Sequence, residues 1–150
     1  MVIILKYLHW TKVQHMNTNE NLIRQFYTYF SKKDFKGMQG CYAQNASFSD
    51  SIFKDLSAKE VQSMWEMLIK SSKDMRIEFG NVEASDDQGS ADWIAYYTFS
   101  PTGKKVVNRV KASFTIKNGQ ITNHIDDFDF YRWSRQALGL LGLLWDGSPF

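Results

Sequence analysis

An α+β fold is predicted by three observations on this chain. Apolar residues recur at helical spacing through its first half. They alternate at strand spacing through its second half. Turn signals of hairpin type separate the alternating stretches. Segregated helices and antiparallel strands give a sheet with its helices on one face. The expected architecture is a curved antiparallel sheet wrapped around N-terminal helices, a cone-shaped α+β roll, with a pocket in its open mouth.

The elements follow in order. Asn17 and Glu20 have capping-box spacing. Leu22, Ile23, Phe26, Tyr27 and Phe30 then keep helical spacing. Ser31-Lys32-Lys33 breaks that helix, and Asp34 can cap a second one carrying Phe35, Met38, Cys41 and Tyr42. Gly37 and Gly40 weaken it. Asn45 to Asp50 reads as a short strand or extended turn. Ser57-Ala58-Lys59-Glu60 is a capping box for a third helix, with Val61, Met64, Trp65, Leu68 and Ile69 on one face. Four strands are expected next: Met75 to Ala84, Ala91 to Phe99, Val106 to Ile116, and Gln120 to about Tyr131. Pro101-Thr102-Gly103 and Asn118-Gly119 mark hairpin turns.

A chain of 150 residues holds one domain with a sizeable core. With 43% hydrophobic and 23% charged residues it has the balance of a globular protein. Its aromatic share, 15%, is enough to line a cavity or to fill a core. The net charge is +2 and the basic residues are scattered, which argues against a nucleic-acid partner. The lone cysteine, Cys41, has no partner for an internal disulfide, so a cytoplasmic location is expected. Residues 1–15 stand apart from the domain pattern. They read either as the product of a start upstream of Met16 or as an arm that packs on a partner. The domain is expected over 16–150, with an apolar tail at 137–150. Neither the leader nor the tail has an apolar run long enough for a membrane span.

The last strand carries the chemistry. Side chains two apart share a face of a strand. His124, Asp126 and Phe128 therefore share one face, with Thr122 and Phe130, and Ile121, Asn123, Ile125, Asp127 and Asp129 share the other. A His and a carboxylate so placed can act as a base with its orienting partner. The bland alternative is an exposed strand, or a structural salt bridge to Arg109 or Arg132. Asp50 can act as a base in an apolar pocket, where its pKa would rise, or simply cap a turn among Ser47, Ser49 and Ser51. Trp65, Trp93, Tyr97, Asn108 and Phe114 are candidates to line the pocket, against core packing. Asn108 is informative because a polar residue on an apolar face needs a partner when buried. No cofactor is implied. With His9 and His15 in the leader, no metal-ligand cluster remains.

Several passages carry a family resemblance across roughly Asn17 to Tyr131. They are Lys33-Asp34-Phe35, Cys41 through Asp50, Ser57 to Trp65, Thr98 to Gly103, Lys117 to Ile121, and His124-Ile125-Asp126. In order and spacing these resemble the NTF2-like superfamily, in its SnoaL-like and ketosteroid-isomerase-like branch. The resemblance implies a cystatin-like α+β roll, a pocket for a small hydrophobic molecule, and a homodimer through the open sheet face. It does not imply one activity, because this fold hosts enzymes and binding-only proteins. Asp50 stands where steroid isomerases of the fold keep their proton-shuttling carboxylate. Their two oxyanion donors would fall at Phe26 and near Ala112, neither of which can donate; Tyr27 is turned about 100° away. One lost oxyanion donor costs roughly 3–4 kcal/mol, so that mechanism is not expected. Polyketide cyclases of the SnoaL kind are a better match, with Asp126 as base and His124 beside it. The expected set is thus Asp126, His124 and Asp50 for chemistry, with Phe26, Trp65, Trp93, Tyr97, Asn108, Ala112, Phe114 and Phe128 around the pocket. The expected activity is cofactor-independent acid/base isomerisation, cyclisation or dehydration. The alternative is a non-catalytic ligand-binding or dimeric interaction module.

Overall fold

The first helix, α1, presents one continuous apolar stripe to the sheet. Ile23, Phe26, Tyr27 and Phe30 are at most 1% exposed. In the computed structural model, which describes residues 18–139, α1 runs through residues 18–31. Burying side chains of this size is worth about 1.5–3 kcal/mol each, so the stripe holds α1 in the hollow of the sheet. The leader, the Met16 start, the Asn17 cap and the tail beyond residue 139 lie outside the described residues.

The turn after α1 is closed by Lys33 in the left-handed region (φ 60°) and by Asp34, whose side chain accepts from the Gly37 amide at 2.8 Å. This opens α2 (Phe35–Gly40). Gly37 does more than weaken the helix. Any β-carbon there would collide with the Tyr29 ring, so glycine lets α2 fold back on α1. The expected continuation through Cys41 and Tyr42 is corrected: α2 stops at Gly40, and Tyr42 opens β1 (Tyr42–Ser49). The Cys41 carbonyl already accepts from the Ile121 amide at 2.9 Å. Sheet pairing takes the backbone before the helix can extend past a poor helix former.

After the two-residue strand β2 (Leu56–Ser57) comes α3 (Ala58–Ser71). Its capping box forms as expected: Ser57 Oγ accepts from the Glu60 amide, and Glu60 Oε1 from the Ser57 amide. It buries Ala58, Val61, Trp65 and Ile69, while Met64 and Leu68 are only partly covered.

Strands β3 (Arg76–Ala84), β4 (Gln88–Phe99), β5 (Lys104–Lys117) and β6 (Gln120–Asp127) complete a six-stranded unclosed sheet, in the order β2-β1-β6-β5-β4-β3. All pairs are antiparallel except β1 with β6. The β5–β6 turn has Asn118 and Gly119 both at positive φ, 52° and 73°. That is the two-residue hairpin turn whose twist matches the strands.

Two strand expectations are corrected. Pairing slips between Thr115 and Ile116, at a bulge. Ile121 is therefore fully buried on the same side as His124 and Asp126, not opposite them. Second, β6 ends at Asp127. Asp129 caps a helix, α4 (Phe130–Leu138), by accepting from the Arg132 amide at 2.9 Å. Phe130 thus leaves the His124 face. The helix is held on β5 and the turn before it: Gln136 Oε1 accepts from the Val107 amide at 2.9 Å, and the Thr102 hydroxyl in the turn donates to the Ala137 carbonyl.

Candidate active site

His124 lies on β6 opposite Phe114 of β5 and beside Phe48 of β1. Its ring is wholly buried. The Phe114 ring is 4.4 Å away, those of Phe48 and Phe26 meet it edge-on at 5.0 and 5.5 Å, and Tyr42 and Trp65 lie parallel to it at 6.0 and 6.3 Å. A histidine in such a cage must find its polar partners inside it.

It finds two. Nδ1 is 2.7 Å from the Tyr42 hydroxyl, and Nε2 is 2.9 Å from Asp126 Oδ1. The indole N–H of Trp65 donates to the same Tyr42 oxygen at 3.2 Å, and that of Trp93 donates to Asp126 Oδ1 at 3.3 Å. Counting donors assigns the tautomer. Tyr42 has one hydrogen, and Nδ1 is the acceptor it has here; Nε2 then carries the ring proton and gives it to the carboxylate. Every N–H and O–H donor of the chain Trp65–Tyr42–His124–Asp126–Trp93 has an acceptor in this arrangement. Burial pushes the Tyr42 phenol well above its ordinary pKa, more than the Trp65 bond lowers it, so the hydroxyl keeps its proton.

The network ends at a cavity. Asp126 Oδ1 is committed to His124 and Trp93, whereas Oδ2 has no hydrogen bond among the described residues. Asp126 is one of the residues lining a cavity of about 270 Å³ between α3, the segment after β1, the inner faces of β4 and β5, and α4. Around it stand Trp65, Trp93, Tyr97, Asn108 and Phe128, with Met64, Leu68 and Met75 from the helix side. Ile52, Phe53 and Met67 also line it and are 43%, 38% and 61% exposed, which identifies the rim.

Asp50 reaches the same cavity from the end of β1. Its Oδ1 accepts from the Ile52 and Phe53 amides at 2.7 Å each, so it is also the turn residue its serine-rich setting suggested. Burial raises its pKa above the ordinary aspartate value. The two amide bonds oppose that, and the Asp126 charge adds to it.

The structure therefore brings Asp126, Asp50, Trp65, Trp93, Tyr97, Asn108 and Phe128 to one cavity. Phe26, Ala112 and Phe114, expected at the pocket, lie one layer deeper: they are at most 3% exposed, line none of this cavity, and Phe26 and Phe114 pack on the His124 ring. His124 does not line the cavity either. The salt bridge considered with Arg109 or Arg132 is replaced by the His124–Asp126 pair itself. Sequence reasoning missed Tyr42, read as a helical core residue, and Trp133, whose indole N–H donates to the Tyr97 hydroxyl at 2.6 Å. The signal for Ile52 and Phe53 was present: two apolar residues directly after a candidate carboxylate. Among the described residues no three His, Cys, Asp or Glu side chains lie together as a metal ion requires, and no helix is long and apolar enough to cross a membrane.

A curved, unclosed six-stranded sheet with N-terminal helices in its hollow defines the class: an NTF2-like α+β roll. The chain belongs to the SnoaL-like domain family, whose model matches residues 23–124. Solved structures with the same fold include a candidate polyketide cyclase from Xanthomonas campestris pv. campestris, 16% identical, covering 81% of this chain and 98% of that one with a TM-score of 0.69. An LEH-like epoxide hydrolase from M. tuberculosis is 15% identical, with coverages of 86% and 96% and a TM-score of 0.69. The candidate polyketide cyclase IdmH from Streptomyces antibioticus is 17% identical, with coverages of 81% and 99% and a TM-score of 0.68. At these identities the likeness is one of fold. No curated protein matches the sequence.

Proposed function

We propose that this protein is a cofactor-independent acid/base enzyme acting on a small, hydrophobic carbon acid, by isomerisation, cyclisation or dehydration. The observation that carries the reading is Asp126: a nearly buried carboxylate with one oxygen tied to His124 and Trp93 and the other left to the cavity. In the step we propose, Oδ2 removes a proton from a carbon next to a carbonyl. The C–H bond breaks, an O–H bond forms on Asp126, and the electron pair moves onto the carbonyl oxygen. Asp50, whose pKa burial raises, gives that oxygen a hydrogen bond when in its acid form. His124 is a positioning residue. It holds the Asp126 carboxylate through Nε2–H and is itself held by Tyr42. The polyketide-cyclase neighbours accord with chemistry of this type.

The test needs no natural substrate. Neutral aryl ketones incubated with the protein in D2O should gain deuterium at the carbon beside the carbonyl, and Asp126→Asn should remove the gain. Exchange at the wild-type rate in that variant would reject the assignment.

One observation favours a second reading, a binding-only module. The indole N–H groups of Trp65 and Trp93, nearest Asp126, are already committed to Tyr42 and Asp126. At the Asp126 end of the cavity only Asp50 then remains to stabilise an oxyanion. Ketone binding without exchange in any variant would decide for that reading.

A homodimer through the outer sheet face is the expected assembly. Exposed Ile125 in the middle of that face supports it, and Ile125→Lys should turn a dimer into a monomer in light scattering. The cytoplasmic placement rests on Cys41, a free buried thiol whose pKa burial raises to about 11. Cell fractionation would test it.

A further inference from the structure

The polar groups that the described residues bring to the cavity can be counted donor by donor. The indole N–H groups of Trp65, Trp93 and Trp133 are spent on Tyr42, Asp126 and Tyr97. What remains uncommitted besides the two carboxylates is the Asn108 side-chain amide, which has no hydrogen bond among the described residues, and the Tyr97 hydroxyl hydrogen, since that oxygen accepts from Trp133. These two belong together. Asn108 pairs with Ala95, two residues before Tyr97 on the same face of β4, which puts the side chains roughly 7–8 Å apart at their bases. They are also far from the base. Asp126 pairs with Ala112, and Asn108 lies four residues along β5 from it, roughly 14 Å at ~3.4 Å per residue. Between them the lining is apolar, and no lysine or arginine among the described residues faces the cavity.

Resting on the acid/base reading of Asp126, we infer that the substrate is an elongated neutral molecule whose far end carries a hydrogen-bond acceptor oxygen, a carbonyl, ether or hydroxyl, held by Asn108 and Tyr97. Asn108 and Tyr97 are then specificity residues for that oxygen. Burial raises the Tyr97 pKa, so the phenol keeps the proton it donates. A carboxylate or phosphate at the far end is disfavoured. It would enter a cavity lined by the carboxyl groups of Asp50 and Asp126, and among the described residues no cation there would offset its desolvation.

The probes are two acetylnaphthalenes, one carrying a methoxy group on its far ring and the other an ethyl group of the same size. Binding is measured by equilibrium dialysis on the full chain, and exchange at the acetyl carbon by mass spectrometry in D2O. The ratio of the two Kd values should shift about three- to tenfold against the methoxy probe in Asn108→Leu, as expected for one neutral hydrogen bond. It should shift in the same direction in Tyr97→Phe. Circular dichroism and thermal melting like those of the wild type show that each variant is folded. A ratio that stays put in both variants, or a far-ring carboxylate probe that binds as tightly as the methoxy one, overturns the inference while exchange at the acetyl carbon still upholds Asp126. A methoxy preference without exchange upholds the inference and sinks the catalytic reading. Failure of both probes to bind overturns both.

Discussion

Tyr27 and Tyr42 are both buried tyrosines in one core, at 0% and 4% exposure, and removing their hydroxyls should have opposite effects. The Tyr42 oxygen bonds to His124 Nδ1 at 2.7 Å and receives the Trp65 indole N–H at 3.2 Å. In Tyr42→Phe both partners stay buried without a replacement. Each orphaned group costs about 1–3 kcal/mol, so a total loss of about 2–4 kcal/mol is expected after partial relaxation. The Tyr27 hydroxyl has no hydrogen-bond partner among the described residues and is buried. Its ring packs on Phe79 at 5.4 Å and Trp93 at 6.2 Å, contacts that phenylalanine keeps. Tyr27→Phe should therefore be neutral or stabilise by up to about 1 kcal/mol, the part of the desolvation cost that is relieved. The assay is urea unfolding followed by tryptophan fluorescence, with thermal melting as a second measure. For a chain of this size the Tyr42 variant should melt roughly 5–15 °C lower. A Tyr42→Phe loss below about 0.5 kcal/mol would refute the assigned network, since that is the scale of an ordinary surface change. A comparable loss in Tyr27→Phe would show that its hydroxyl has a partner.

Other outcomes can be checked alongside. Asp126→Asn should lower the deuterium-exchange rate by about 10²–10⁴, the usual contribution of a general base, while circular dichroism stays unchanged because the amide oxygen can still accept from His124 and Trp93. Asp50 has a folded-state pKa raised by burial. Its contribution to stability is thus fully present below the unfolded value of ~3.9 and is lost as pH rises through the folded value. Asp50→Asn should flatten the stability profile in that window, and a profile identical to wild type would reject the burial argument. Exchange should also fall as pH rises through the same folded value, because Asp50 then loses the proton it shares with the substrate oxygen. Gly89→Ala would drive a β-carbon into the fully buried Ile23 side chain and should cost about 1–3 kcal/mol. Gly80→Ala meets nothing within 4 Å and should be close to neutral in the same urea assay.

Local signals in the chain were reliable where the physics is local. The Ser57 capping box and the Asn118-Gly119 turn involve only neighbouring residues, and both form. Strand period put His124 and Asp126 on one face, and the resemblance to the SnoaL-like family pointed to the same pair. Errors came where distant segments compete. Tyr42 has helical spacing from Met38, yet its backbone pairs with β6, eighty residues away. Ile121 alternates away from His124 in sequence but is turned inward by a bulge that β5 imposes. Phe130 continues the alternation of Phe128 until the Asp129 cap starts α4.

The residue pattern by itself determined the α+β layout, the helical stripe of Ile23, Phe26, Tyr27 and Phe30, and the proximity of a histidine to an aspartate. Periodicity and capping depend on contacts a few residues apart, so they are written directly in the chain. Which of the polar residues reaches the cavity was decided only by tertiary packing. Phe26, Phe48 and Phe114, from three different elements, close around His124 and turn it into the support of Asp126. The same closure leaves one of the two Asp126 carboxylate oxygens uncommitted beside the cavity. No spacing rule contains that result, because a side chain is walled off by the sum of its neighbours, and those neighbours come together only when the sheet has curved around α1.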